Sequence, residues 1–290
     1  MRKITFILLC ICLISACQET EKISLIKIRT KFGVIKMVLH DETPVHKANF
    51  LKLIREGKFD SLLFHRTIQG FMIQGGDPDS KHAVAGQALG DGDVGYTLTA
   101  EFNEHLFHQR GAVGAARDDN PEKRSSGIQF YIVQGRKISV EELNTDMKKL
   151  RQGIIDLSHK PGFDSLEMQL QRDRKSNGYI AYRNKIMELK PLVEKELQIN
   201  LTTRASQEKI DAYTKLGGTP HLDNDYTVFG QVVDGMDVVD RIAAQTTDSL
   251  DRPLSDLRFF VEVEEMDKTE IEQLYHYQFR KNQINTLDAI

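Results

Sequence analysis

The 290-residue chain has no tryptophan, three cysteines and little excess of either charge. Lysine and arginine number 39 and aspartate and glutamate 42, which gives a net charge of -3. Proteins that follow the phosphate backbone of nucleic acids are strongly cationic, so nucleic acid is not expected as a partner. The cysteines are Cys10, Cys12 and Cys17. Because all three precede residue 18, no disulfide is expected in the rest of the chain.

Long hydrophobic runs are also scarce, and the one that stands out lies at the N-terminus. Met1–Lys3 is positively charged, Ile4–Ile14 is almost entirely apolar, and small residues precede Cys17. This order is typical of a secretory signal and is too short for a membrane-spanning helix. Ile14-Ser15-Ala16-Cys17 resembles a bacterial lipobox, so residues 1–16 are predicted to be a lipoprotein signal peptide and Cys17 the site of lipidation. The alternative is an ordinary signal peptide that contains a cysteine.

Acyl chains on Cys17 would hold the protein on a membrane surface. No later segment approaches 18 consecutive apolar residues, so no other part of the chain is expected in the bilayer. We therefore expect a lipid-anchored protein of the bacterial cell envelope, facing either the periplasm or the surface.

The remaining chain divides into three regions by residue pattern. Residues 17–136 and 218–266 alternate apolar and polar positions between glycine-rich turns, which is typical of β-structure. Residues 137–217 are rich in charges of both signs and have apolar residues at steps of three and four, which predicts an α-helical insertion. Residues 267–290 are predicted to form a C-terminal tail with a helix.

Local signals place several elements. Ser24–Thr30 and Val34–Leu39 alternate on either side of a turn and predict a β-hairpin. A threonine and a proline begin a predicted helix at Pro44–Glu56, and a second is predicted at Gly235–Ala244. A capping box at Ser139 predicts that the first helix of the insertion runs to about Leu157.

The strongest functional signal is the stretch Phe64–Asp77, with the sequence FHRTIQGFMIQGGD. It resembles the signature of the cyclophilin-type peptidyl-prolyl cis-trans isomerases. Downstream, Ser126–Tyr131 resembles the Gly-Ser-Gln-Phe-Phe strand of that family. Leu222 and Val228–Gly230 resemble the last pocket segment of the family.

This resemblance covers Ile23–Gln134 and the chain from Gly217 to about Met266, without the signal, the insertion or the tail. It implies a mainly β fold, namely a closed eight-stranded antiparallel cyclophilin-like barrel capped by two helices. The α-helical insertion would then interrupt the barrel between residues 17–136 and 218–266.

The residues of the motif also indicate a chemistry of their own. Two alternating strands joined at Gln69-Gly70 would place one cation beside an apolar patch, with an amide to orient it. These residues are Arg66, Phe71, Met72 and Gln74. A serine triad is not evident, since the stretch has neither the turn geometry nor the acid partner that one needs. A conformational reaction needs no nucleophile, and rotation of a prolyl amide bond, with a barrier of about 18–20 kcal/mol, is such a reaction.

The resemblance implies a role for each site residue. Arg66 would donate to the prolyl nitrogen, which regains its lone pair only as the bond twists, so the contact would stabilise the transition state. Gln74 would hold the Arg66 guanidinium, and the main chain at Arg117 would hold the substrate carbonyl. The implied substrate-binding residues are Phe71, Met72, Ala116, Arg117, Gln129, Tyr131, His221, Leu222 and Tyr226. No metal and no cofactor is implied.

Several positions differ from the family pattern. Tyr131 stands where phenylalanine is usual, and Ile128 where serine is usual. His221 and Tyr226 occupy positions that are typically tryptophan and histidine in eukaryotic members. The insertion leaves the barrel after Tyr131 and returns just before His221, so we expect it to emerge beside the pocket. It would either offer a second contact surface to a polypeptide client or have no binding role.

The predicted function is that of a peptidyl-prolyl cis-trans isomerase that acts on envelope or exported proteins and assists their folding. Its expected partners are proline-containing polypeptides and, through Cys17, a membrane. One alternative is a membrane-anchored chaperone or interaction module that binds proline-containing segments with incidental turnover. A second alternative is a glycan-binding surface lipoprotein, which the absence of tryptophan disfavours because sugar sites rely on aromatic faces.

Metal binding is not expected. His105 and His108 are three residues apart, but no third ligand has a suggestive spacing. The acidic residues of Asp77–Asp79 and Asp91–Asp93 lie in glycine-rich loops without the spacing of a calcium loop, so solvated turns are expected there.

Overall fold

The structure of the chain is a computed structural model that describes residues 21–279. The predicted signal peptide, Cys17 and the end of the predicted tail lie outside the described residues. By its contacts the chain divides into a large unit, residues 24–265, and a small unit described at residues 21–23 and 266–279.

The strands are β1 (Lys22–Thr30), β2 (Gly33–Leu39), β3 (Leu62–Ile68), β4 (Met72–Gly75), β5 (Thr97–Leu98), β6 (Ala112–Ala115), β7 (Ser125–Ser126), β8 (Phe130–Val133), β9 (Val228–Asp234) and β10 (Arg258–Asp267). All of them except β5 and β7 form a closed antiparallel barrel in the order β1-β10-β3-β4-β8-β6-β9-β2. The prediction of a closed eight-stranded barrel is confirmed. The short strands β5 and β7 pair with each other.

The α-helices are α1 (Pro44–Arg55), α2 (Val140–Leu143), α3 (Met147–Ser158), α4 (Leu166–Glu188), α5 (Lys190–Leu197), α6 (Gln207–Lys215), α7 (Met236–Ala243) and α8 (Lys268–Tyr275). Two short 3-10 helices span Pro78–His82 and Pro220–Leu222. The helices α2 to α6 lie between β8 and β9, so they interrupt the barrel.

The first hairpin shows why the sequence pattern predicts the barrel. Ile26 and Ile28 are buried, whereas Lys27 between them is partly exposed, because successive side chains of a strand point to opposite faces. The turn closes at Gly33, whose φ of 129° lies in the left-handed region that favours glycine. A side chain there would also meet Val238 of α7, at 3.0 Å from its Cγ2.

Aromatic side chains fill much of the barrel interior. The ring of Phe130 on β8 lies 5.5 Å from Phe50, 5.9 Å from Phe59 and 5.9 Å from Phe259, measured between centroids. Phe50 belongs to α1, and Val239 of α7 is buried in the same core. The helices α1 and α7 therefore contribute apolar residues to the barrel core.

A second apolar cluster lies on the other face of the same strands. Successive residues of β4, β6 and β8 alternate between the barrel interior and this outer cluster. The interior residues are Ile73, Val113 and Ile132, and the adjacent outer residues are Met72, Ala112 and Tyr131.

The insertion has a core of its own. Its buried residues are Leu150, Ile154, Leu157, Leu170, Ile186, Val193 and Leu201. The prediction of one helix from Ser139 to Leu157 is wrong, because the chain breaks between α2 and α3. At the break, the main-chain oxygen of Asn144 accepts from Thr203 and the main-chain N–H of Asp146 donates to Leu201, at 2.9 and 2.8 Å. These long-range hydrogen bonds replace the helical ones.

The two ends of the insertion meet at a pair of glycines. Gly218 N–H donates to the Arg136 oxygen at 2.9 Å, and a Cβ on Gly135 would lie 2.5 Å from the Gly218 Cα. Both glycines have positive φ, of 68° and 154°. The backbones can therefore approach this closely only without side chains.

Charged contacts join the two ends of the small unit. Lys22 pairs with Asp267 at 3.0 Å, and Lys268 pairs with Glu21 at 2.7 Å. The helix α8 follows directly. Within residues 21–279, no helix has the length and apolarity needed to cross a membrane.

Candidate active site

Arg66 and Gln74 face each other across β3 and β4. An irregularity of the register between Phe64 and Arg66 accompanies a change of environment, since Phe64 is buried in the barrel core and the Arg66 side chain is 37% exposed. Arg66 Nη1 donates to Gln74 Oε1 at 3.3 Å. The amide of Gln74 therefore holds one nitrogen of the guanidinium.

A second amide continues this chain of hydrogen bonds. Gln74 Nε2 donates to Gln129 Oε1 at 3.1 Å. Gln129 Nε2 in turn donates to the main-chain oxygens of Gly90 and Gly92, at 2.7 and 2.8 Å. Because main-chain oxygens only accept, the NH2 group of Gln129 must face the glycines and its oxygen must face Gln74. The NH2 group of Gln74 then faces Gln129, and the Gln74 oxygen faces Arg66. In this conformation both amide atoms of Gln129, predicted to bind the substrate main chain, are engaged within the protein.

A carboxylate contacts the other side of the guanidinium. Arg66 Nε lies 3.7 Å from Asp251 Oδ2, and Arg174 Nη2 lies 3.5 Å from the same oxygen. Burial lowers the pKa of Arg66, Asp251 opposes this shift, and the nearby charge of Arg174 adds to it. The catalytic candidate is thus a partly desolvated cation held by an amide and a shared carboxylate.

The second apolar cluster described above lies on the same outer face and forms the candidate proline pocket. Its buried members are Ile68, Met72, Ala112, Ala116, Tyr131, Val133 and Val228, and its half-buried members are Phe71, Leu106, Tyr179, Leu222 and Tyr226. Met72 of β4 pairs with Ile68 of β3, and Ile68 lies two residues after Arg66 on the same strand. The cation and the apolar pocket therefore adjoin.

Two further predicted residues border the pocket. The Arg117 guanidinium lies 4.7 Å from the Tyr226 ring centroid, and its Nε donates to the Asp225 oxygen at 2.8 Å. The His221 ring lies 5.4 Å from the Phe71 ring. The structure thus places all the predicted catalytic and substrate-binding residues at the pocket, at its border or in the chain of amides beside it.

This arrangement suits recognition of a proline ring next to a hydrogen-bond donor. An apolar pocket of aromatic, methionine and leucine side chains matches the ring, and the guanidinium supplies a fixed N–H at its edge. Such a donor acts on charge that develops as an amide twists, without a covalent step.

Comparison with known sequences agrees with this geometry. The model of the family described as cyclophilin type peptidyl-prolyl cis-trans isomerase/CLD matches residues 25–153 and 199–262, which is more than half of the chain. The chain belongs to the cyclophilin family. The predicted family and enzyme class, peptidyl-prolyl cis-trans isomerase, are confirmed.

Relatives of this cyclophilin include proteins of Streptococcus pyogenes and Staphylococcus aureus. A protein of Streptococcus pyogenes serotype M6, named as a bifunctional phosphatase/peptidyl-prolyl cis-trans isomerase, is 32% identical over 237 residues, which cover 80% of this chain and 37% of that protein. A protein of Staphylococcus aureus strain USA300, named as a peptidyl-prolyl cis-trans isomerase, is 27% identical over 237 residues, covering 78% and 89%. The chain therefore spans little more than a third of the streptococcal protein.

Solved structures of cyclophilins are also similar. A cyclophilin of Cryptosporidium parvum, crystallised with the dipeptide Ala-Pro, gives a TM-score of 0.47 at 17% identity and covers 83% of this chain and 98% of its own. The cyclophilin AquaCyp293 of Hirschia baltica gives 0.43 at 17% identity, covering 82% and 73%.

An aromatic residue of the insertion covers part of the pocket of this cyclophilin. The Tyr179 ring stacks on Phe71 with centroids 4.9 Å apart and planes at 22°, and its hydroxyl lies 3.3 Å from His221 Nε2. Burial raises the pKa of Tyr179 to about 12. Met72 and Tyr131 are only 2% and 4% exposed. In this conformation a proline ring therefore cannot reach them unless a covering side chain moves.

Besides some of the apolar members of the pocket, sequence reasoning missed three residues that contact the site, namely Tyr179, Arg174 and Asp251. The first two belong to the insertion, where no motif distinguishes them from other helical residues. Asp251 lies in a loop at φ 64°, and its main-chain oxygen accepts from Thr67 of β3 at 2.9 Å. That turn brings its carboxylate to Arg66 although 185 positions separate the two residues in the sequence.

The residues considered as metal ligands have other partners. His105 pairs with Glu208 at 3.1 Å, whereas His108 contacts Asp223 at 3.0 Å, so the two rings are engaged separately. Asp77 accepts from the N–H groups of Asp79 and Gly90. The part of the chain that the structure describes contains no group of three or more histidine, cysteine or acidic residues arranged to hold a metal ion.

Proposed function

We propose that this cyclophilin rotates Xaa-Pro bonds in envelope or exported polypeptides and so assists their folding. The observation that carries the proposal is the chain of hydrogen bonds from Arg66 through Gln74 to Gln129 beside the apolar pocket. It supports an oriented donor at the edge of a proline-binding site.

The mechanism follows from the electronic structure of the prolyl amide. In the planar ground state the nitrogen lone pair is delocalised into the carbonyl, so it accepts hydrogen bonds poorly. When the bond twists, the lone pair returns to the nitrogen and can accept from the Arg66 guanidinium. The contact is therefore stronger in the transition state than in either ground state, which is the condition for catalysis.

The pocket and the guanidinium have separate tasks in this mechanism. Phe71, Met72 and Leu222 would hold the proline ring while the preceding residue rotates. Gln74 and Asp251 would keep the guanidinium from turning away, so that little reorganisation is needed as the bond twists.

Replacement of Arg66 tests the catalytic assignment. We expect Arg66→Ala to lower kcat/KM for a proline tetrapeptide by about tenfold or more, which corresponds to about 1.4 kcal/mol of transition-state stabilisation. A protease-coupled isomerisation assay measures this, with circular dichroism to verify the fold. Arg55→Ala, at an exposed position of α1, is the matched control and should leave kcat/KM unchanged. Full activity of a folded Arg66→Ala variant would refute the assignment.

The same two variants test the role in folding. Refolding of a protein substrate limited by proline isomerisation takes tens to hundreds of seconds without a catalyst. The wild-type protein and Arg55→Ala should accelerate it, and Arg66→Ala should not. Equal acceleration by Arg66→Ala would instead support a chaperone that binds proline-containing segments with incidental turnover.

We propose further that a lipid on Cys17 anchors the protein to a membrane, and the lipobox-like order Ile14-Ser15-Ala16-Cys17 supports this. In a bacterial host, Cys17→Ala should leave the precursor uncleaved or move the protein out of the membrane fraction. Cys12→Ala, in the same apolar run, should be processed and retained normally. Normal processing and membrane retention of Cys17→Ala, read from gel mobility and fractionation, would exclude the lipid anchor.

A further inference from the structure

Tyr131 forms the floor of the apolar pocket and carries a hydroxyl where the family pattern has phenylalanine. The residue is almost completely buried. The hydroxyl end of its ring lies against Gly114 of β6, because a Cβ on that glycine would approach Tyr131 Cζ and Oη to 2.3 and 2.4 Å. The phenol therefore occupies space that any other residue at position 114 would fill.

The hydroxyl contacts a buried histidine. Tyr131 Oη lies 2.8 Å from His108 Nε2, and the two rings are nearly parallel, at 14° and 5.9 Å between centroids. His108 Nδ1 lies 3.0 Å from Asp223 Oδ1. Because a carboxylate only accepts, Nδ1 carries the proton, which leaves Nε2 of the neutral ring to accept from the Tyr131 hydroxyl.

Asp223 is the centre of this network. Its carboxylate also accepts from the His108 main-chain N–H at 3.0 Å, the Tyr213 hydroxyl at 2.8 Å and Lys209 Nζ at 2.6 Å. Burial alone would raise the pKa of Asp223, but its hydrogen bonds from His108 and the charge of Lys209 outweigh burial and lower it. A buried carboxylate with this many donors has one stable orientation.

The same aspartate adjoins a wall of the pocket. Asp223 directly follows Leu222 at the end of the 3-10 helix Pro220–Leu222. Lys209 and Tyr213 belong to α6 of the insertion. One carboxylate therefore connects the floor of the pocket, one of its walls and the insertion.

The order hydroxyl, imidazole and carboxylate resembles that of a nucleophilic triad, but Tyr131 is unsuited to attack a substrate. Burial raises the pKa of its phenol well above the ordinary value, so the hydroxyl stays protonated. The hydroxyl end of the ring also packs against Gly114, the residue of β6 that pairs with Tyr131 of β8. The network is therefore suited to hold the ring in place.

We infer that His108 and Asp223 are positioning residues of the isomerase site, which fix the Tyr131 ring against the proline ring of the substrate. The inference rests on the proposed function, because it assigns the pocket to proline. A floor that contacts the proline ring in every state of the reaction affects binding of the ground and transition states alike. Loss of its position should therefore raise KM more than it lowers kcat.

A double-mutant cycle tests the inference. His108→Leu removes the acceptor, and Tyr131→Phe removes the donor while keeping the ring. We expect His108→Leu to raise KM for a proline tetrapeptide by about fivefold, with kcat within about twofold. In the Tyr131→Phe background the same replacement should change KM by less than about twofold, since the hydrogen bond is already absent. An equal rise of KM in both backgrounds would overturn the inference.

Two further variants and a binding measurement complete the design. His108→Gln, whose amide oxygen can accept from Tyr131, should restore most of the affinity and replaces His108→Leu in the cycle if that variant does not fold. His105→Ala, at an exposed histidine that also contacts α6, is the control and should behave as wild type. The cycle is repeated by NMR titration of the tetrapeptide. An absent wild-type activity would refute the proposed function, whereas an absent coupling between residues 108 and 131 in the titration would refute the positioning network.

Discussion

His65 is a buried residue of the motif whose protonation affects the stability of the protein. It lies between buried Phe64 and Arg66, is 3% exposed, and in the described structure neither ring nitrogen has a hydrogen-bond partner. Burial lowers the pKa of His65 to about 4, with Asp77 opposing the shift and Arg66 adding to it. The ring is therefore neutral in the folded protein at neutral pH.

This shift predicts a loss of stability in acid. An unfolded histidine has a pKa of about 6.5, so between that value and about 4 the unfolded state binds more protons than the folded state. The free energy of unfolding should fall by about 2–3 kcal/mol on this account as the pH drops from 7 to 4.5. His65→Phe, which has a similar shape and no nitrogens, should remove that part of the fall. Urea titrations at both pH values measure it, and identical pH dependence in the two proteins would contradict it.

The sequence predicts the candidate site residues that lie within the family motif. Arg66, Gln74 and Met72 lie within one hairpin, so their spacing alone places them together. The partners of Tyr131 could not be predicted in the same way, because His108 and Asp223 come from separate segments. Their hydrogen bonds depend on how two loops pack, and no local pattern encodes that packing.

Among the elements of the insertion, α4 contacts the site through two residues. Gly178 interrupts it with φ 81° and ψ 178°, a conformation open to glycine alone. Arg174 before the break contacts Asp251, and Tyr179 after it stacks on Phe71. The break lets one helix reach both the cation and the pocket.

Truncation of Tyr179 should open the pocket. Stacked aromatic pairs contribute about 0.5–1.5 kcal/mol, so Tyr179→Ala should raise kcat/KM for a tetrapeptide by roughly two- to tenfold. Tyr182→Ala is the control. The ring of Tyr182 lies 6.5 Å from the Tyr179 ring on the same helix, whereas it is Tyr179 that stacks on Phe71. A decrease in kcat/KM for Tyr179→Ala would show instead that the tyrosine is a wall of the substrate site.

Element prediction succeeded where signals were local. The hairpin β1–β2 and the helices α1 and α7 follow from alternation, a proline at the first helical position and an apolar helix face. It failed at the break between α2 and α3, because hydrogen bonds to residues 201–203 decide that position. Contacts between distant segments override a local helical pattern.

At the scale of the whole molecule, the closed barrel was predictable because the motif identifies a family and the family has one architecture. The alternating strands alone indicate β-structure without giving the order β1-β10-β3-β4-β8-β6-β9-β2. The contact of the insertion with the pocket was not predictable. Its attachment beside the site restricts where it begins, but the packing of Tyr179 and the hydrogen bonds of α6 to Asp223 determine where it rests.

The paired glycines at the base of the insertion have a consequence for how this protein can change in length. Because the backbones at Gly135 and Gly218 are in close contact, the chain leaves the barrel and returns to it at the same place. The insertion is therefore a loop whose two ends are closed at these glycines. The entropy lost on closing a loop grows only with the logarithm of its length, so a doubling costs about 0.6 kcal/mol. A segment with its own apolar core can therefore grow, shrink or be exchanged at this junction while the strands on either side keep their register.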